Sequence, residues 1–206
     1  MAYLVLVRHG ESTWNAKGVW TGWQDPPLSE KGFEEARQAG EQLKEISFDI
    51  AFVSDLVRAK QTLDEILTVT GQKPEIIEAQ ALRERNYGDY TEKNKWDILK
   101  ELGEEGFKKL RRGWDVPIPN GETLMDVYNR VIPHYESEIL PKIKQGKNVL
   151  ISAHGNSLRA LVKYLDGLSD SDVENLEIAT GEVIVYKIDN DGKIVSKEVR
   201  QSATII

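Results

Sequence analysis

The residues with the most chemistry to offer stand at the end of an apolar run near the start of the chain, where residues 4–15 read L-V-L-V-R-H-G-E-S-T-W-N. Arg8 carries a permanent charge on a planar fork of donors that suits phosphate or carboxylate oxygens. His9 offers a neutral ring nitrogen near physiological pH, as a base or as a nucleophile. Gly10 allows a sharp turn and a close approach of backbone to a ligand. The pattern returns at residues 148–157, where N-V-L-I-S-A runs into His154-Gly155-Asn156-Ser157. The chain has only three histidines, and two of them occupy this same strand-to-turn position. Arg58 falls in the first turn of a predicted helix, where it opposes the helix dipole at a cost of a few tenths of a kcal/mol. An anion bound at that helix end would offset the cost. Each residue alone also has a structural reading, as the end of a strand or an exposed arginine. Together, two imidazoles and two guanidiniums describe a pocket for a phosphoryl group. A metal held by His9, His154 and a carboxylate fits less well, because the arginines would repel a cation.

The elements that must position these residues follow from periodicity. Short apolar runs at 4–7, 49–54 and 148–153 read as strands buried on both faces, and 75–78 as a further short strand. Ser29 reads as the N-cap of a helix reaching about residue 46, and Ser54 and Asp55 as caps of a helix over 56–70. A long helix is expected over 122–144, bent or interrupted at Pro133 and Pro141, and another over 158–165. Two closing strands, 183–188 and 193–199, flank Asp189-Asn190-Asp191-Gly192, a hairpin signal. Strands alternating with helices imply an α/β fold, a mostly parallel sheet with helices on both faces. In such a sheet ligands bind outside the carboxyl ends of the strands, where Arg8, His9 and His154 stand.

Residues 81–121 interrupt this alternation and read as an insertion: a charged, aromatic stretch, two helical segments split near 103–106, and a proline-rich loop at 114–121. The whole of 1–206 is therefore expected to be one domain, with 81–121 as a helical and loop insertion forming part of the active-site wall. Trp14, Trp20 and Trp23, in or beside a polar loop, are either surface staples or the wall of a pocket. A chain of 206 residues buries roughly 70% of its unfolded surface and needs no staple. There is no cysteine, which removes disulfides, thiolate zinc sites and cysteine nucleophiles together. Lys and Arg total 27 against 34 Asp and Glu, a net charge of −7 that argues against nucleic acid as a partner. No run is long and apolar enough for a bilayer span, and the first strand lacks the basic region and cleavage site of a leader. A cytoplasmic location is expected.

R-H-G-E at 8–11 with A-H-G-N at 153–156 resembles the histidine phosphatase superfamily. Further motifs narrow the resemblance to the cofactor-dependent phosphoglycerate mutases: W-T-G-W-Q-D-P-P-L-S, E-R-N-Y-G, Asn94-Lys95, R-R-G-W-D-V-P and A-H-G-N-S-L-R. The resemblance covers nearly the whole chain. It implies a phosphoglycerate mutase-like fold and an isomerase of glycolysis and gluconeogenesis. Such an enzyme interconverts 3- and 2-phosphoglycerate, with 2,3-bisphosphoglycerate as primer and no metal. It implies His9 as the nucleophile that becomes a phosphohistidine, with Arg8, Arg58 and His154 on the phosphoryl oxygens, assisted by Asn15, Gly155 and Asn156. Glu84 would be the general acid/base. Ser12, Thr21, Gly22, Arg85, Tyr87, Lys95, Arg111 and Arg112 would hold the substrate's carboxylate and its other phosphate.

Three departures from the family pattern are visible. Asn86 stands where many of these mutases have histidine. Only Asn120-Gly121 joins Pro119 to Glu122, where longer members carry a segment used in subunit contacts, so a homodimer is left open. The chain ends soon after its last strand, and a more open site would admit water to the phosphohistidine. The alternative function is accordingly a broad-specificity histidine phosphatase acting on small phosphomonoesters.

Overall fold

Leu4, Val5, Leu6 and Val7 leave no polar face, so the strand they form has to be covered on both sides, and all four are fully buried. The computed structural model describes residues 1–200. This first strand, β1 (Ala2–Arg8), lies inside a six-stranded sheet with β2 (Ile50–Val53), β3 (Glu75–Glu78), β4 (Val149–Ala153), β5 (Val183–Ile188) and β6 (Ile194–Arg200). The order is β3-β2-β4-β1-β5-β6. Pairings β3–β2, β2–β4 and β4–β1 are parallel, while β5 and β6 add antiparallel at one edge as the predicted hairpin. Residues 201–206, on which the reading of a short tail falls, lie outside the described residues.

Alternate side chains point to opposite faces, and each face has its own helical cover. Leu4, Leu6, Phe52, Ile151 and Tyr186 pack with α5 (Leu124–His134), α6 (Leu140–Lys144), α7 (Gly155–Asp166) and α8 (Asp170–Asn175). Val5, Val7, Ala51, Val53 and Leu150 pack against α2 (Glu30–Glu41) and α3 (Val57–Thr70). A short helix α1 (Thr13–Ala16) follows the turn after β1, and α4 (Lys95–Arg112) lies in the 81–121 segment over a small core of Trp20, Tyr87, Ile98, Leu110 and Ile118. Gly103, at φ 69°, kinks α4 where the sequence predicts two segments. No helix among the described residues is long and apolar enough to cross a membrane.

Several local expectations are corrected. The helix expected over 122–144 starts at Leu124, while its interruption near the two prolines agrees with the sequence: α5, one π-helical stretch (Tyr135–Ile139) and α6, with Pro133 inside α5 and Pro141 at the start of α6. Helix α2 stops at Glu41, short of residue 46. Asp55 does not cap α3: Asp25 Oδ1 accepts from the Val57 amide (2.6 Å), and Asp55 pairs with both Nε and Nη2 of Arg83 (2.8 and 2.5 Å). The cap of α3 is therefore supplied by a residue distant in sequence. Helix α7 begins at Gly155, not near residue 158, so His154 is its N-cap. Gly10 is required for packing on protein: a Cβ there would lie 2.1 Å from the Gly32 carbonyl oxygen at the start of α2.

Candidate active site

Register places the two histidines side by side. Arg8 is the partner of Ala153 in the β1–β4 pairing, so the next residues, His9 and His154, leave neighbouring strands at the same level. The His9 amide donates to the Ala153 carbonyl (2.9 Å), and the two rings meet edge to face with centroids 4.9 Å apart. Val53 is level with Ser152 on the other side of β4. Ser54 is thereby brought to His154, with its Oγ 2.8 Å from Nε2.

His9 is 2% exposed, and its Nδ1 lies 2.7 Å from its neighbour's carbonyl, Gly10 O. A carbonyl only accepts, so Nδ1 carries the proton and Nε2 keeps its lone pair. Burial, then the charges of Arg58 and Arg8, hold the imidazole well below its ordinary pKa, so the ring is neutral at pH 7. His154 is fully buried and shifted the same way, by burial first and by Arg58 next. The Gly10 amide donates to Thr62 Oγ1 (3.1 Å), whose hydroxyl donates to the Arg58 carbonyl (2.8 Å), tying the nucleophile's turn to α3.

Arg58 is buried, and burial brings it down to about 10, which leaves it charged. Its Nη1 and Nη2 donate to the carbonyls of Gln24 and Gly22 (2.9 and 3.0 Å), so the loop after α1 aims it. That loop is itself tied to α4: the Trp20 amide donates to the Lys93 carbonyl and the Lys95 amide to the Gly18 carbonyl (3.0 and 2.8 Å). These bonds bring Lys95 into the site, its Nζ 5.5 Å from the centre of the Trp20 ring. Burial, with Arg111 and Arg8 adding to it, lowers Lys95 to about 8. Among the three tryptophans, Trp20 is buried in the pocket wall, Trp14 is half-buried outside it, and Trp23 is a staple whose Nε1 donates to the Glu84 carbonyl (2.8 Å).

Glu84 is 9% exposed and held through one oxygen: Oε1 accepts from the amides of Arg85 (2.7 Å) and Asn156 (3.2 Å) and from Asn156 Nδ2 (2.9 Å). Its Oε2 has no such partner among the described residues. Arg130 Nη2 also donates to the Glu84 carbonyl (2.9 Å). The Asn156 amide, at the start of α7, is thus engaged by the protein's own carboxylate and not left open for an anion.

Arg8, His9, Asn15, Thr21, Gly22, Arg58, Glu84, Tyr87, Lys95, Arg111, Arg112, Gly155 and Asn156 all line one cavity. Ser12, Arg85 and His154 do not line it. Ser12 caps α1, its Oγ accepting from the Asn15 amide (3.1 Å). Arg85 is fully buried beneath Tyr87, 4.6 Å from its ring centre, and Nη2 donates to the last carbonyls of α4, at Leu110 and Arg111 (3.2 and 3.1 Å). Asn86 is a turn residue away from the cavity, its Oδ1 accepting from the Gly88 amide (2.9 Å). Sequence reasoning left Trp20 open between staple and pocket wall, and missed Arg159, Glu177 and Ile178 as lining residues. Arg159 stands one helical turn after Asn156, a spacing that could have found it, and its Nη1 donates to Asn156 Oδ1 (2.9 Å). Nothing local marks Glu177 or Ile178, which arrive on the loop between α8 and β5.

The cavity is strongly cationic: Arg8, Arg58, Lys95, Arg111, Arg112 and Arg159 face only Glu84 and Glu177 as carboxylates. Arg8 Nε, Thr21 Oγ1 and His154 Nδ1 are buried without a hydrogen-bond partner among the described residues. Buried polar atoms are rarely left so, and a polyanion bound in the cavity would engage the two that belong to lining residues, Arg8 Nε and Thr21 Oγ1. No group of three or more metal-ligating side chains is gathered among the described residues.

The histidine phosphatase superfamily (branch 1) matches residues 4–200. The 2,3-bisphosphoglycerate-dependent phosphoglycerate mutase of Parvibaculum lavamentivorans is 51% identical over 199 residues, 95% of each chain. The protein of that name from Chelativorans sp. is 52% identical, over 95% of this chain and 97% of its own. Among solved structures, a phosphoglycerate mutase from Bacillus anthracis superposes with a TM-score of 0.76 at 28% identity, over 94% of this chain and 90% of its own.

Proposed function

The chain belongs to the histidine phosphatase superfamily, and from that premise we propose that it is a phosphoglycerate mutase. It interconverts 3- and 2-phosphoglycerate through a phosphohistidine on His9, as an isomerase of glycolysis and gluconeogenesis in the cytoplasm. The observation that carries this reading is the surplus of positive charge: six cationic side chains against two carboxylates exceed what one phosphoryl group needs. A ligand bearing a phosphate and a further anionic group accounts for them. Residues 1–206 act as one domain, and the 81–121 segment supplies Glu84, Tyr87, Lys95, Arg111 and Arg112 to the wall.

Phosphoryl transfer asks mainly for an in-line nucleophile and for charge on three equatorial oxygens. His9 Nε2 is the nucleophile, neutral and oriented by the Gly10 carbonyl. Its attack on phosphorus breaks the bond to the substrate oxygen, and Glu84 gives that oxygen a proton. In the return step Glu84 takes the proton from the accepting hydroxyl as the P–N bond breaks. Arg8 and Arg58 hold the phosphoryl oxygens. We assign His154 the tautomer with its proton on Nδ1, the Ser54 hydroxyl then donating to Nε2, which makes the ring a neutral donor on the phosphoryl oxygens. Asn15 and Gly155 complete that end, and Asn156 acts through Glu84. Lys95, Arg111 and Arg112, with Thr21, Gly22 and Tyr87, hold the carboxylate and the second phosphate. Ser12 and Arg85 act from behind, through α1 and the end of α4. The primer 2,3-bisphosphoglycerate fits the same cations and supplies the first phosphoryl group.

The test is conversion of 3- to 2-phosphoglycerate with and without a trace of 2,3-bisphosphoglycerate, in EDTA, with inorganic phosphate followed in parallel. Primer-stimulated isomerisation with little phosphate release is expected. Phosphate release without isomerisation would make water the acceptor and the protein a phosphatase.

A further inference from the structure

A strap of three residues crosses the arginines of the site. Between α8 and β5, the Leu176 carbonyl accepts from Arg112 Nη1 (3.1 Å) and the Ile178 carbonyl from Arg8 Nη1 (2.5 Å). Between them the Glu177 carboxylate is bonded to Arg112 Nη2 and lies 3.7 Å from Arg111 Nη2. Its side chain keeps 64% of its exposure, so packing does not force it there and charge attraction does. Burial raises the Glu177 carboxyl, but Arg112 and Arg111 outweigh it and hold the group below its usual range, ionised at neutral pH.

The backbone of the strap is fixed at both ends on arginines, and Ile178 is buried. Only the Glu177 side chain is free to leave without moving the chain. Its carboxylate has the same chemistry as the carboxylate of a phosphoglycerate. Two carboxylates on one guanidinium pair compete for the same donors and repel each other.

We propose that Glu177 is a specificity-determining residue whose carboxylate holds the Arg111–Arg112 pair in the free enzyme and is displaced by the distal anionic group of the substrate. This rests on the reading above, which gives that pair to the ligand's distal anion. A phosphomonoester with no second anionic group leaves Glu177 in place and gains nothing from the pair. A ligand with a second anion exchanges for it, at reduced net affinity. The reduced hold suits a ligand that must release and regain its distal contact to present either hydroxyl to His9.

The test uses Glu177→Gln, which keeps the shape and removes the charge, beside Arg111→Ala in the same assays. Binding of 2,3-bisphosphoglycerate and of inorganic phosphate is measured by calorimetry, with KM and kcat for 3-phosphoglycerate. Glu177→Gln is expected to tighten the bisphosphate and lower KM by about two- to tenfold, raising the ratio of bisphosphate to phosphate affinity. Arg111→Ala is expected to lower that ratio. An unchanged ratio in Glu177→Gln, with Arg111→Ala behaving as expected, overturns the role of Glu177 and leaves the mutase reading standing. An unchanged ratio in Arg111→Ala overturns the assignment of the pair and the inference with it.

Discussion

Ser54 Oγ lies 2.8 Å from Nε2 of His154, a contact between two fully buried side chains a hundred residues apart in the chain. It exists because β2 and β4 are parallel and in register, and it ties the His154 ring to the end of β2 through Nε2. Replacing Ser54 with Ala leaves that Nε2 buried without a partner. A loss of about 1–3 kcal/mol in stability is expected, with a fall in kcat. Denaturant unfolding and ring-nitrogen NMR of His154 check both; an unchanged tautomer would separate Ser54 from the chemistry.

Glu84→Gln tests the proton step with little disturbance of the fold. Gln can still accept, through one oxygen, the three N–H bonds that hold Glu84 now. A fall in mutase kcat of roughly 10²- to 10⁴-fold is expected. Rapid-quench detection of the phosphoenzyme should show slow phosphorylation and slower transfer to hydroxyls. A normal transfer rate would remove Glu84 from the acid/base role.

Lys95, brought down to about 8 by burial and then by Arg111 and Arg8, gives the site a pH dependence of known sign. Below about 8 the amine is charged and attracts the anionic substrate; above it the charge is lost and KM rises. Between about 8 and the ordinary lysine value the unfolded chain binds a proton that the folded one does not, so this group raises stability as pH rises. Affinity and stability therefore move in opposite directions across that window. Lys95→Arg, charged throughout, should flatten the rise in KM, which a pH series of initial rates would read.

Gly10→Ala would place a methyl 2.1 Å from the Gly32 carbonyl oxygen, where backbone meets backbone and neither side yields easily. A loss of about 1–3 kcal/mol is expected from overpacking, with a larger proportional loss of kcat because the turn after His9 must shift. Thermal unfolding and single-turnover phosphorylation measure the two effects. Wild-type values in both would mean that the turn relaxes at no cost.

The sequence by itself carried what is local and periodic. The all-apolar runs of β1, β2 and β4, the Asp189–Gly192 hairpin and the mostly parallel sheet were legible because burial on both faces and tight turns leave a pattern in residue type. The convergence of Arg8, His9 and Arg58 was legible too, since strand ends and helix starts of such a sheet meet at one edge. What the tertiary structure decided depends on register and on long-range contacts. The cap of α3 comes from Asp25, not from its neighbour Asp55. The Asn156 amide serves Glu84, and Arg85 lies beneath the pocket holding the end of α4. Glu177 meets Arg112 only because the loop after α8 passes the end of α4, and an isolated glutamate in a loop has no periodicity to announce its partner.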